Sequence, residues 1–172
     1  ASGRIEKPLD FKNLAGNIDF NGKFHNVNFA KPMLLGKSMQ EQLNLPPVFI
    51  DGQVKMKGTA TSGSITATTG GGKLACDAGF NTNGNIYSLS ADMHSLPVRA
   101  FLPKGDIGNI TGNLTANGKG FDYDSPSFAA IADCHLDSIE YCHRKYHDLQ
   151  ANLRGEAGEL AAHLASLNKD LY

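Results

Sequence analysis

The side chains best able to bind a metal lie close together in the last third of the chain: Cys134, His135, Cys142, His143 and His147. Zinc takes three or four nitrogen or sulfur ligands in a tetrahedron, commonly at C-x2–4-C or H-x3–5-H spacing. His143 and His147 meet the second spacing, but the two cysteines stand eight residues apart. In a strand, Cys134 and His135 would also point to opposite faces. The group therefore reads as one buried thiol beside a turn carrying exposed histidines, and no metal or other cofactor is expected.

Two further groups invite a chemical reading. Thr68-Thr-Gly-Gly-Gly-Lys73 looks like part of a phosphate loop. Such a loop needs Gly-x4-Gly-Lys followed by Ser or Thr, between a strand and a helix. Here Ala67 stands at the first glycine position, Leu74 follows the lysine, and both flanks read as strand, so a hairpin tip is expected. Asp133, His135 and Asp137 share one face at period two, either as a weak site or as a solvated strand face. The remaining carboxylates, such as Asp77, Asp92, Asp122 and Asp124, are scattered, and no Gly-x-Ser-x-Gly elbow is present. Nothing here supports an enzyme.

The elements that carry these residues are strands. Leu74, Cys76, Ala78 and Phe80 fall on every second position, as do Tyr87, Leu89, Ala91 and Met93. The pattern continues with Ile110, Leu114 and Ala116, then Leu149, Ala151 and Leu153, then Leu160, Ala162 and Leu164. Mostly polar residues sit between them. Side chains alternate across a strand, so this spacing predicts an antiparallel sheet with one apolar and one wet face. Strands of parallel α/β sheets, buried on both faces, would read as unbroken apolar runs.

Composition bounds the class. The 172 residues suit one domain, and a net charge of −1 offers no basic field for nucleic acid. Charged residues make up 19%, against roughly 25% in an average soluble domain, and Ser, Thr and Asn supply much of the polar face. Three cysteines cannot form a fully paired disulfide framework. No apolar run approaches the ~20 residues that span a bilayer, and no signal peptide is present. The start, Ala1-Ser2-Gly3-Arg4, reads as the middle of a patterned sequence, so the chain is taken as an internal segment of something longer.

Turn chemistry divides the strands. Asn21-Gly22 predicts a hairpin between residues 17–20 and 23–29. Further turns are expected at 69–72, 81–84, 117–120, 141–145 and 155–158. All seven prolines fall between alternating segments, as a residue lacking the ladder's N–H donor should. Two stretches break the alternation. Met33, Leu34, Leu35, Met39 and Leu43 have helical spacing after Pro32 and before Pro46-Pro47, which predicts a short helix over 32–43 within an insert ending near 44. Residues 96–102, an apolar stretch bracketed by Pro97 and Pro103, predict a one-turn helix or compact knob crossing one end of the sheet. Gly52–Gly58 and Gly112–Gly118 also form an approximate repeat of short alternating strands, each with glycine at both ends.

From residue 45 to 171 the chain resembles the repeated sheet of AsmA/TamB-like envelope proteins, most of all their Bacteroidetes form. The resemblance is carried by Leu45-Pro-Pro-Val-Phe-Ile-Asp-Gly-Gln-Val-Lys-Met-Lys-Gly58 and by Tyr87-Ser-Leu-Ser-Ala-Asp-Met93 leading into the knob. Ile110-Thr-Gly-Asn-Leu-Thr-Ala-Asn-Gly-Lys-Gly-Phe-Asp122, the Ser125-Pro126 step and Asp137-Ser-Ile-Glu-Tyr141 through Tyr146-His-Asp-Leu149 continue it. The opening segment, with Leu14-Ala-Gly-Asn-Ile-Asp-Phe20, is similar as well.

The resemblance implies a mostly β fold, an elongated and curled antiparallel sheet forming an open trough. It implies a periplasmic location within a protein anchored in the inner membrane, and a part in phospholipid transport to the outer membrane or in outer-membrane assembly. No catalytic residue transfers. What transfers is the apolar face as a lipid-groove lining: Leu74, Cys76, Ala78, Phe80, Tyr87, Leu89, Ala91, Met93, Leu114, Ala116, Leu149, Leu153, Leu160 and Leu164. The partners implied are phospholipid acyl chains, adjoining β-repeats and an outer-membrane assembly factor. Exposed sheet edges further predict edge-to-edge pairing. The competing expectation is a non-catalytic β-sandwich for adhesion or carbohydrate binding, whose apolar residues pack on each other as an ordinary core.

Overall fold

A computed structural model of the chain describes residues 1–6, 15–25, 43–44 and 46–166. Its strands are β1 (Ser2–Glu6), β2 (Ala15–Phe24), β3 (Val48–Lys57), β4 (Ala60–Thr69), β5 (Gly72–Asn81), β6 (Ile86–Pro97), β7 (Ile107–Lys119), β8 (Ala129–Tyr141), β9 (Arg144–Glu156) and β10 (Glu159–Ser166). They form one ten-stranded sheet in which spatial order equals chain order and every neighbouring pair is antiparallel. β1 and β10 do not pair with each other, so the sheet is open rather than closed into a barrel.

Tight turns produce this meander. Gly58-Thr59 joins β3 to β4, with glycine at positive φ, and Gly70-Gly71 (φ 54° and 84°) joins β4 to β5. The expected phosphate-loop look-alike is thus a two-residue hairpin, in which both central residues take the left-handed backbone that matches strand twist. Cys142-His143 (φ 49° and 62°) and Ala157-Gly158 (φ 46° and 84°) make the two later hairpins in the same way. The approximate repeat falls on β3 and β7.

Several expectations change. The Asn21-Gly22 hairpin does not form, because β2 runs without interruption through both residues, which lie opposite Asp51 and Ile50 of β3. The apolar alternation Ile18, Phe20, Gly22, Phe24 continues across the dipeptide, and a ten-residue partner strand outweighs the local turn preference. The turn expected at 117–120 comes later. β7 extends through Lys119, and residues 120–128 form the connection. The helix expected over 32–43 falls on 26–42, which lie outside the described residues, and Leu43 is not helical. The one helix among the described residues is α1 (Val98–Phe101), inside the expected knob. Pro97 closes β6 rather than standing clear of it, opposite Asn109.

The knob holds the chain together at one end of the sheet. Asn44 donates its backbone N–H to the Phe101 carbonyl (2.6 Å) and its side-chain amide to the Ala100 carbonyl (2.9 Å). The register beside it is irregular, with an extra residue between Met93 and Leu96 of β6, between Ile107 and Ile110 of β7, and at Asp137 of β8. An extra residue bends and twists a strand, which is how the meander turns past the knob.

Among the described residues the sheet has no second layer. Ala91 is the only buried hydrophobic residue among those described, and none of them has a large, fully buried side chain. A two-sheet sandwich would bury the inner faces of both sheets in a core. The described strands do not form one.

Candidate functional site

Strand register organises the apolar residues into rows that cross the whole sheet. One row reads Gly3, Ile18, Val54, Gly63, Ala78, Leu89, Ala116, Ala132, Leu153, Ala162. The next reads Phe20, Gly52, Ile65, Cys76, Ala91, Leu114, Cys134, Ala151, Leu164. Flanking rows hold Leu74, Met93, Gly112, Leu136 and Leu149 on one side, and Phe80, Tyr87, Gly118, Ala130, Gly155 and Leu160 on the other. With neighbouring strands ~4.8 Å apart, a row spanning the sheet is about 43 Å long.

All fourteen residues expected to line the apolar face lie on one face of this sheet. Leu74 stands opposite Met93, Cys76 opposite Ala91, Ala78 opposite Leu89 and Phe80 opposite Tyr87. Sequence reasoning missed the same face on β1 to β4, where Ile5, Ile18, Phe20, Ile50, Val54, Met56 and Ile65 extend it. The signal was there in Ile18, Phe20 and Phe24, but the assumed turn at Asn21 cut it in two.

No charged residue enters the four rows, and Thr61, Tyr87 and Ser166 are their only hydroxyl side chains. Glycines make room for large neighbours. Phe20 lies over Gly52, where an added Cβ would fall 2.8 Å from the Phe20 ring, and Phe128 lies over Gly155 in the same way (2.9 Å). One rim of the face is aromatic. Phe121, from the β7–β8 connection, stacks on Tyr87 (centroids 5.4 Å, 12°) and approaches Phe80 (5.8 Å). Tyr123 meets Phe128 edge-on at 5.7 Å and donates its hydroxyl to the Gly158 carbonyl at 2.5 Å.

The face is unevenly covered. Toward β10, Leu160 is 60% and Leu164 76% exposed. Ala132, Cys134, Ala151, Leu153, Ala162 and Leu164 line a hollow of about 340 Å3 there. The opposite, polar face carries a larger hollow of about 580 Å3, lined by Lys55, Ser62, Ser64, Asp77, Ser88, Ser90, Thr115 and Asn117. Hollows on both faces are natural in a twisted sheet. The polar one has no aromatic platform for a sugar.

The chemical candidates do not assemble. Cys134 lies in the apolar rows, whereas His135 pairs with Asn113 and Gln150 in the polar rows. Cys142 and His143 are the hairpin turn itself. Among the described residues, no group of three His, Cys, Asp or Glu side chains is placed to hold a metal. Asp133 accepts a hydrogen bond from the Asn152 amide (2.5 Å), and His135 Nδ1 lies 3.8 Å from Asp137. The extra residue that β8 carries at Asp137 breaks the row of three.

Burial pushes the Cys134 thiol above its usual pKa, while Cys142 is exposed. Thiolate is the species that alkylates. Iodoacetamide at pH 8 is therefore expected to label Cys142 about tenfold faster than Cys134, with the gap narrowing as pH rises. Peptide mass mapping over time checks this, and equal rates would show that Cys134 is not sheltered.

These strands define a class by geometry: a single-layer, open antiparallel sheet with one continuous apolar face. No family model, curated protein or solved structure matches the chain. Among the described residues, no helix is long and apolar enough to cross a membrane.

Proposed function

We propose that this chain is a segment of a periplasm-spanning AsmA/TamB-like protein, and that its apolar face forms a hydrophobic groove for phospholipid transport to, or assembly of, the outer membrane. One observation carries the reading: charge-free rows cross all ten strands, and the described residues supply no second layer to cover them. Acyl chains need burial and no specific hydrogen bonds. Each buried methylene is worth about 0.8 kcal/mol, so a groove for them requires apolar continuity and nothing sharper. Ala78, Ala91, Ala116, Ala132 and Ala151, interleaved with leucines, leave room for a chain lying across the strands.

The mechanism is passive. Acyl tails slide along the rows from one sheet edge toward the other while headgroups stay in water. Adjoining repeats would lengthen the path by pairing at the edges. β10 suits this role, because only Glu159 is formally charged along it and it has neither proline nor a bulge against β9. Natural edges that avoid pairing usually carry such interruptions.

Native mass spectrometry of the purified chain, with extraction of bound lipid, tests the groove. Co-purifying or readily loaded phospholipid is expected. A bare protein mass after incubation with lipid would overturn the reading.

A further inference from the structure

The face opposite the apolar rows holds an aromatic ring where alternation calls for a polar side chain. Phe49 of β3 points to this wet side and is 45% exposed, while Val48 and Ile50 on either side of it point to the apolar side. Strand register sets Phe49 in one row with Lys23 of β2, Thr68 of β4, Lys73 of β5 and His94 of β6. Lys23 and Lys73 stand three strands apart, ~14 Å along the row. Phe49 and Thr68 fill the two places between them.

Lys23, Phe49, Thr68 and Lys73 border a hollow of about 360 Å3 that ends at Pro47 and the Gly70-Gly71 turn. That end is held in place: Thr69, 8% exposed, donates its hydroxyl to the Pro47 carbonyl at 2.7 Å, tying the start of β3 to the end of β4. A Cβ at Gly71 would meet nothing within 4 Å, so the turn leaves the approach clear. Among the described residues neither the ring nor the charges are taken up. The ring pairs are Phe80–Phe121, Tyr87–Phe121 and Tyr123–Phe128, and the ion pairs are Arg4–Glu6 and His135–Asp137. Asp51 and Asp92, the nearest acids by register, stand in the adjoining row opposite Thr66 and Ala75.

We propose that this hollow on the polar face binds a ring-bearing phosphate, its ring stacked on Phe49 and its phosphate held between Lys23 and Lys73. Lysine meets phosphate as a point charge, and the Thr68 hydroxyl donates to the same oxygens. A phosphate monoester carries about −1.5 to −2 charges at neutral pH, which matches two cations better than a single carboxylate does. Ring stacking adds a term that inorganic phosphate lacks. The site lies across the sheet from the groove and does not depend on it.

Adenosine monophosphate, glucose 6-phosphate and inorganic phosphate are titrated separately into the isotope-labelled chain in low salt, with backbone NMR shifts as the readout. Saturable shifts centred on residues 47–49 and 68–73 are expected with at least one of the two ring-bearing phosphates, and the one that binds identifies the source as nucleotide or sugar. Phe49→Ser should weaken that binding about fivefold or more, because the stacking platform is lost. Lys23→Gln combined with Lys73→Gln should weaken it about tenfold, and added salt should reproduce that loss. All three positions are exposed, and circular dichroism checks that each variant remains a sheet. Ile131→Ser, equally exposed on the same face but away from the hollow, should change nothing. The inference is overturned if neither ring-bearing phosphate gives saturable shifts, if inorganic phosphate binds as tightly as they do, or if binding survives both variants. The groove reading would stand in each of those cases.

Discussion

Replacing Leu89 with aspartate is expected to lower phospholipid binding by at least about tenfold while the sheet remains folded. Leu89 stands between Ala78 and Ala116 in a central row, half-buried and far from both edge strands. Strand register places no cation in the four rows around it for a carboxylate to pair with. A lipid tail crossing it would have to strip its water, at a cost of several kcal/mol. Tenfold in affinity is only about 1.4 kcal/mol, so the penalty exceeds what is needed. Leu149→Asp, in the row nearer the knob, should act similarly.

Two controls sharpen that result. Ser88 is the preceding residue, exposed on the opposite face, so Ser88→Asp should leave lipid binding unchanged. An apolar site also raises a carboxyl pKa by penalising its charged form. Lipid binding by the Leu89→Asp variant should therefore recover in part as pH falls toward 4. Unimpaired binding at pH 7, checked by the same lipid extraction, would remove the apolar face from the mechanism.

The largest loss of stability is expected from Gly112→Ala. Gly112 is buried opposite Leu136, beside the bulge that β8 makes at Asp137. A Cβ built there lands on the His135 carbonyl oxygen and comes within 2.8 Å of the Leu136 Cα. Both are backbone atoms of a paired strand, so neither can step aside as a flexible side chain would. Overpacking of this kind costs about 1–3 kcal/mol. The midpoint of urea unfolding should fall accordingly, with the largest spectroscopic change near Cys134 and His135. Thr115→Ala, on the exposed face three residues along, should stay within about 0.5 kcal/mol of wild type. Equal midpoints for the two variants would mean that β7 and β8 are not held at this separation.

Much of the apolar face was legible in sequence because alternation is a local property. Leu74 to Phe80 and Tyr87 to Met93 each declare their own two faces without reference to anything else. The two-residue turns at Gly70-Gly71, Cys142-His143 and Ala157-Gly158 are local too, since a tight antiparallel connection leaves the chain little choice. Once each strand is followed by its neighbour, the meander order follows. The reading failed where a local signal met a longer-range partner. Asn21-Gly22 is a strong turn dipeptide, yet ten residues of β3 hold it extended.

The sequence by itself determined that this chain makes strands with one apolar face, joined by short turns, and that its Cys and His residues have poor spacing for zinc. Only the tertiary structure decided how those faces add up. Register is a relation between strands, so the alignment of Leu89 with Ala116, Ala132 and Leu153 into one row cannot be read from any single strand. The bulges that turn the meander past α1, and the fold of Phe121 onto Tyr87, likewise depend on residues brought together from separate strands and connections. Whether an apolar face becomes a core or an open surface depends on what lies across from it. In the described residues the sheet meets no second layer, and the rows remain half-exposed for that reason.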